Sequence, residues 1–226
     1  MIAKYVTSLH EITDAYQKIQ IDAKDAKVKI EPSKDSVTKL TFLEKKRRPY
    51  AFFIQDDTLT VRPVKTKWYH ALRIGVDRSE IKLLVPESVF EAISVKSTVG
   101  RVDISSVTCN GTVDIQTNTG NINLEKVSCK DFHAKGNTGV VSLNKLAAQG
   151  RVAVHCNTGK VMLNDCSAPE IFAKTNTGRV CGKLPPNTVF AVRTNTGRVE
   201  VPQAPIGEVI GGRCEIKTNT GSVRFE

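Results

Sequence analysis

Residues 174–180 read KTNTGRV, and nineteen positions later residues 193–199 read RTNTGRV. A near-identical return at fixed spacing marks a repeat architecture, and recognising it decides the fold. TNTG also stands at 117–120 and 218–221, GNTG at 136–139, CNTG at 156–159, and the degenerate STVG at 97–100. The closing glycines are Gly100, Gly120, Gly139, Gly159, Gly178, Gly197 and Gly221, at intervals of 20, 19, 20, 19, 19 and 24. Six of the seven turns keep the asparagine, which ties the repeat to the turn rather than to composition.

Aligned on the glycine, apolar residues recur on both sides of the turn. Two positions after it stand Val102, Ile122, Val141, Val161, Val180, Val199 and Val223. Seven before it stand Ile93, Val113, Phe132, Val152, Ile171, Phe190 and Cys214. Further apolar columns lie five before and four after. This period-2 alternation predicts two short strands per repeat, each with one inward face. The constant spacing lets equivalent residues stack and bury a core that no single repeat could bury alone. The expected fold is therefore all-β: a β-solenoid (β-helix-like) of 19–20-residue coils. An apolar pair seven and nine residues past the early glycines (Val107 with Cys109, Val127 with Cys129, Leu146 with Ala148) predicts a third side and a triangular coil.

The turn chemistry explains itself. Gly120, Gly139, Gly159, Gly178, Gly197 and Gly221 supply positive φ, and Thr and Asn side chains bond the backbone. Stacked asparagines Asn118, Asn137, Asn157, Asn176, Asn195 and Asn219 are expected to form an amide ladder that holds the coils together. The last interval is longer, and PQAPIGEVIGG (202–212) reads as a loop bulging from the stack.

Residues 1–90 lack the repeat and read as an irregular N-terminal β cap region continuous with the repeats of 91–226. Strand-like runs lie at 16–23, 26–31, 36–43, 50–55, 58–64 and 80–86, and only Ser8–Tyr16 suggests a short helix. Capping the open end of the stack against edge-to-edge association is the expected role. The run Glu44-Lys45-Lys46-Arg47-Arg48 reads as a solvated turn. Trp68 and Tyr69 read as a core or hairpin anchor.

The 226 residues carry 33 Lys and Arg against 23 Asp and Glu, a net charge of +10. Four before each glycine come Lys96, Gln116, Lys135, His155, Lys174, Arg193 and Lys217; one after come Arg101, Asn121, Val140, Lys160, Arg179, Arg198 and Ser222. Both positions point outward by parity, and nine of the fourteen are basic. The basic excess is thus expected along one edge of the stack, as a candidate anion-binding stripe. Like charges one strand spacing apart repel by only roughly 0.9 kcal/mol in water, so a stable stack carries such a row with or without a ligand.

Catalytic signals are sparse. The six cysteines (Cys109, Cys129, Cys156, Cys166, Cys181 and Cys214) form no C-x-x-C pair, and Cys109 and Cys129 share one inward position, as buried free thiols would. His10, His70, His133 and His155 are dispersed, and alternation sends His155 and Cys156 to opposite faces. No metal, cofactor or nucleophile motif stands in the chain. The expected protein is not an enzyme and needs no cofactor or metal.

IDAKDAKVKIEPSKD (21–35), DDTLTV (56–61), KWYHALRIG (67–75), KLLVP (82–86) and the repeated NTG together resemble the bacterial putative adhesin domain family over roughly residues 15–226. The resemblance implies a non-catalytic β-solenoid of the cell envelope, often carried behind a transmembrane segment, and supplies no catalytic residues. Residues 1–17 have neither the apolar run of a signal peptide nor an upstream apolar helix. The envelope is therefore expected if an anchor lies upstream, and the cytoplasm otherwise. Three readings follow: an adhesin-like binding module engaging an anionic surface polymer or lipid, a structural scaffold, or, more remotely, a carbohydrate-active β-helix enzyme. Specific nucleic-acid binding is disfavoured, because the coils lack stacking aromatics.

Overall fold

The computed structural model describes residues 5–64, 78–203 and 211–226. Trp68, Tyr69 and most of the 202–212 loop lie outside the described residues. Among the described residues there is no helix, hence none long and apolar enough to cross a membrane, and all strands join one hydrogen-bonded sheet. The N-terminal third forms β1 (Tyr5–Ile12), β2 (Lys18–Lys24), β3 (Lys27–Pro32), β4 (Thr38–Lys45), β5 (Tyr50–Gln55), β6 (Thr58–Pro63), β7 (Glu80–Val85) and β8 (Val89–Phe90). The helix expected over Ser8–Tyr16 is not there. Tyr5–Ile12 instead pairs antiparallel with β4 along its whole length, so a long-range partner overrides the weak local pattern.

The repeats form β9 (Ala92–Val99), β10 (Val102–Cys109), β11 (Thr112–Thr119), β12 (Ile122–Cys129), β13 (Asp131–Ala148), β14 (Arg151–Asn164), β15 (Glu170–Lys183), β16 (Val189–Thr196), β17 (Val199–Glu200), β18 (Arg213–Thr220) and β19 (Val223–Phe225). From the first coil to the fifth, each repeat pairs in parallel with the next, in the register of the turn alignment: Val102 with Ile122, Ile122 with Val141, Val141 with Val161, Val161 with Val180. The alternating apolar residues run inward into one continuous core from Ile12 to Phe225. A third side exists. Ser106, Lys126, Lys145 and Asp165, each six residues past a turn glycine, take φ of 51–54° and turn the chain a second time. Beyond that corner Val107, Cys109, Val127, Cys129, Leu146, Ala148, Cys166 and Ala168 are buried.

The order of rungs departs from the order of sequence at both ends. β15 pairs with β18 and β19, and these pair on their other side with β16 and β17. Residues 213–225 therefore lie between the repeats of Gly178 and Gly197. At the other end β2 lies between β6 and β9, and β3 between β7 and β10. The region read as a cap thus contributes parallel rungs of its own, and among the described residues β1, β4 and β5 add antiparallel strands beyond them.

The turn glycines serve a purpose beyond local φ. A Cβ on Gly120, Gly159, Gly178 or Gly221 would stand 1.7, 1.8, 1.7 or 1.6 Å from the carbonyl oxygen of the neighbouring rung's glycine. Backbones meet there with no room for a side chain, and φ of 149–157° suits glycine as well. The clash partner of Gly221 is Gly178, and that of Gly197 is Gly221, the same interleaved order as the strand pairing.

Candidate functional site

Register converts the column four before the glycine into a spatial row: Asp22, Lys96, Gln116, Lys135, His155, Lys174, Lys217, Arg193. From Asp22 to Lys174 this row forms one bank of a groove of about 470 Å³. The other bank is the asparagine row, Asn118, Asn137, Asn157 and Asn176, and between them run Ser97, Thr117, Gly136 and Cys156. The groove exists because alternation sends the residues four and two before the glycine outward and the one between them inward.

Amide-to-amide bonds form in two separate pieces of the asparagine row, and none joins Asn176 to its neighbours among the described residues. Asn137 Nδ2 donates to Asn118 Oδ1 at 3.2 Å, and Asn157 Nδ2 donates to Asn137 Oδ1 at 3.0 Å. Asn195 Nδ2 donates to Asn219 Oδ1 across the interleaved pair. Each amide in the run keeps one N–H and one acceptor lone pair for another partner.

The nine basic residues do not make a single row. Lys96, Lys135 and Lys174 line the groove, whereas Arg101, Lys160, Arg179 and Arg198, one after the glycine, are not among its lining residues. Three of the nine are offset by carboxylates two residues away: Arg101 by Asp103 at 2.6 Å, Arg198 by Glu200 at 2.6 Å and Lys217 by Glu215 at 2.7 Å. Arg179 Nε donates to Ser222 Oγ at 3.1 Å. Among the described residues Lys96, Lys135, Lys160, Lys174 and Arg179 have no carboxylate partner, whereas Arg193 acts at longer range on Glu215. Desolvation first, and then the charges of Lys174, Lys135, Arg151 and His133, hold the His155 imidazole below its ordinary range.

A second depression lies across the face beyond the turn, lined by Lys27, Lys29, Asp103, Asn123, Glu125 and Asn144 among others. It satisfies itself. Asn123 Nδ2 donates to Asp103 Oδ1 at 2.8 Å, Lys27 pairs with Asp103 at 3.5 Å, and Asn144 donates to Glu125. The turn cluster at 44–48 is likewise engaged, with Arg48 3.5 Å from Asp25.

The cysteines are all free. Burial pushes the Cys129 and Cys214 thiols up to about 12 and Cys166 up to about 11, the opposite of what a nucleophile needs. Cys156 is buried and His155 exposed, so the adjacent pair faces opposite ways. Among the described residues no three His, Cys, Asp or Glu side chains gather into a metal-ligand set.

One inward row escaped the sequence reading. Three before the glycine stand Ser97, Thr117, Gly136, Cys156, Thr175, Thr218 and Thr194 in spatial order. Thr175 Oγ1 donates to Thr218 Oγ1 at 3.1 Å, and Ser97 Oγ donates to the Lys24 carbonyl at 3.0 Å. Thr117 Oγ1 and Thr194 Oγ1 are buried without a partner; Thr117 has Ser97, already bonded to the Lys24 carbonyl, on one side and Gly136, with no side chain to offer, on the other.

Stacked parallel rungs with a polar groove along one face define a repeat β-protein that presents an extended surface. The chain belongs to the Toastrack DUF4097 family, whose model matches residues 16–226. Its fold is similar to that of a putative adhesin from Bacteroides fragilis, with 18% identity, 99% of this chain and 97% of that one covered, and a TM-score of 0.57. It is also similar to a putative adhesin from Parabacteroides distasonis, with 12% identity, 99% and 98% covered, and a TM-score of 0.53. No curated protein matches the chain.

Proposed function

We propose that this chain is a non-catalytic, adhesin-like binding module of the bacterial cell envelope, built as a β-solenoid of 19–20-residue coils, whose groove holds an extended anionic polymer along the stack. One observation carries the reading: Lys96, Lys135 and Lys174 line a groove whose other bank is Thr98 followed by a row of amides, and they have no carboxylate partner among the described residues. Lysines kept only for solubility have no need of a concave polar setting. The family membership and the adhesin description of similar folds support a binding role.

The test compares two charge-matched variants on a heparin column and on anionic phospholipid vesicles across a salt gradient. Lys96→Gln/Lys135→Gln/Lys174→Gln empties the groove of cations; Lys160→Gln/Arg179→Gln/Arg198→Gln removes the same charge from the other column. The groove variant is expected to elute at clearly lower salt than the control variant, because electrostatic retention falls steeply with each lost contact. Equal elution of the two would reduce the stripe to general charge. Elution of both with the parent protein would leave the scaffold reading.

A further inference from the structure

The cations in the groove alternate. Read along the stack, the outward bank runs Lys96, Gln116, Lys135, His155, Lys174: charged, neutral, charged, neutral, charged. His155 belongs with the neutral positions at neutral pH, since desolvation and its cationic neighbours disfavour its charged form. Rungs are spaced by roughly 4.8 Å, so the lysine charges recur about every 9.6 Å. Asp22 stands next to Lys96 in register and closes that end of the groove with a carboxylate.

The opposite bank carries Thr98 at the Lys96 rung and an asparagine at each rung from Asn118 to Asn176. Asn118, Asn137 and Asn157 are fixed in orientation by their ladder, and each presents a donor and an acceptor at single-rung spacing. The groove thus offers hydrogen-bonding groups at every step and a positive charge at every second step. Of its lining residues only His155 carries a ring, so nucleobases find no stacking platform.

We propose that the groove takes an anionic polysaccharide with one negative charge per disaccharide, laid along the stack with one sugar ring per rung. The rise of a ring in an extended sugar chain is comparable to one rung. Alternate rings then place a carboxylate or sulfate against Lys96, Lys135 and Lys174, while the ring hydroxyls and acyl-amino groups meet the Thr98 hydroxyl at the first rung and an asparagine amide at each later one. A polymer charged at every unit leaves half its charges opposite Gln116 and His155.

This rests on the binding reading above, and the experiment separates the two. Binding of an octasaccharide of alternating glucuronate and N-acetylglucosamine is measured by calorimetry at pH 7.5 and constant salt. The same measurement is made for single-stranded oligothymidylate and for oligogalacturonate. The protein is compared with His155→Lys/Lys174→Gln, which keeps the net charge and breaks the alternation; both side chains are exposed, and an unchanged urea midpoint verifies the fold. The octasaccharide affinity is expected to fall at least tenfold in the variant, with oligothymidylate and oligogalacturonate changing less than twofold. An unchanged octasaccharide affinity overturns the period argument and leaves the general binding reading standing. Tighter binding of oligothymidylate than of the octasaccharide makes nucleic acid the partner and overturns it as well. Failure of all three ligands to bind the parent protein overturns both.

Discussion

The GNTG turn at 136–139 holds two glycines three residues apart, and the structure assigns opposite signs to their replacement. Gly139 has φ of 147°, and a Cβ there would lie 2.0 Å from the Gly120 carbonyl oxygen and 2.8 Å from its carbon. Relief requires the two rungs to part at the place where Gly120 N donates to the Thr138 carbonyl at 2.9 Å. Backbone overpacking of this kind costs about 1–3 kcal/mol and the unfavourable φ a similar amount, so Gly139→Ala should lose about 3 kcal/mol or more. Gly136 has no positive φ, and a Cβ would meet Thr117 Oγ1 at 3.6 Å and Cys156 Sγ and Val141 Cγ2 at 4.0 Å, all ordinary contacts. Gly136→Ala should therefore raise stability by about 0.5–1 kcal/mol through the unfolded chain's lost freedom. Gly136→Ser adds a hydroxyl beside the unpartnered Thr117 Oγ1, worth about 1 kcal/mol more. Urea unfolding with unchanged m-values should rank the midpoints, from highest to lowest, as Gly136→Ser, Gly136→Ala, parent and Gly139→Ala. A Gly136→Ala protein destabilised by more than about 1 kcal/mol, or a Gly139→Ala protein within about 0.5 kcal/mol of the parent, would refute the account of how rungs touch.

Three more outcomes are expected. Lys126 and Lys145 turn the second corner at φ of 54° and 53°, so Lys126→Gly and Lys145→Gly should each raise stability in urea by about 0.5–1 kcal/mol, and Lys145→Val should lower it. Asn137 both donates to Asn118 and accepts from Asn157, so Asn137→Ala should cost about 1 kcal/mol in thermal or urea unfolding, with heat-capacity change unaltered. His155 is held below its ordinary value of 6.5, which means the unfolded chain binds its proton more readily than the folded one. Stability should therefore fall as pH drops below about 6.5, and His155→Gln should flatten that slope between pH 7.5 and 5.5 in paired urea titrations.

The columns of the repeat were legible because their period is short and their chemistry uniform: Val161, Val180 and Val199 stand at equal offsets from equal turns. The order of rungs was not. Nothing local distinguishes KTNTG at 217–221 from RTNTG at 193–197 as a neighbour for 170–183, since both present the same alternation to the same edge. The Ser8–Tyr16 segment misled because a strand held by a distant partner needs no strong pattern of its own. The third side was legible from the apolar pairs beyond it, but the residue that turns the second corner was not: Ser106, Lys126, Lys145 and Asp165 share a backbone conformation and no residue type. Of the candidate site, the lysines and asparagines were visible as columns. Their division between a groove and the far side of the turn needed the geometry of the turn itself, and so did the orphaned hydroxyl of Thr117.

The interleaving of rungs sets a schedule for synthesis. Residues 18–32 leave the ribosome early, yet their neighbours are the strands Thr58–Pro63 and Glu80–Val85 on one side and Ala92–Val99 and Val102–Cys109 on the other, so their place is completed only after a long stretch has followed. At the other end, residues 189–200 emerge with no adjoining partner in the stack, because the rung that joins them to 170–183 is made after them. That end of the stack cannot close before residues 213–226 are released. A nonsense mutation at 213 would therefore remove a rung from within the stack rather than from its edge, and 189–200 would be left to pair with 170–183 in the place of the missing strand.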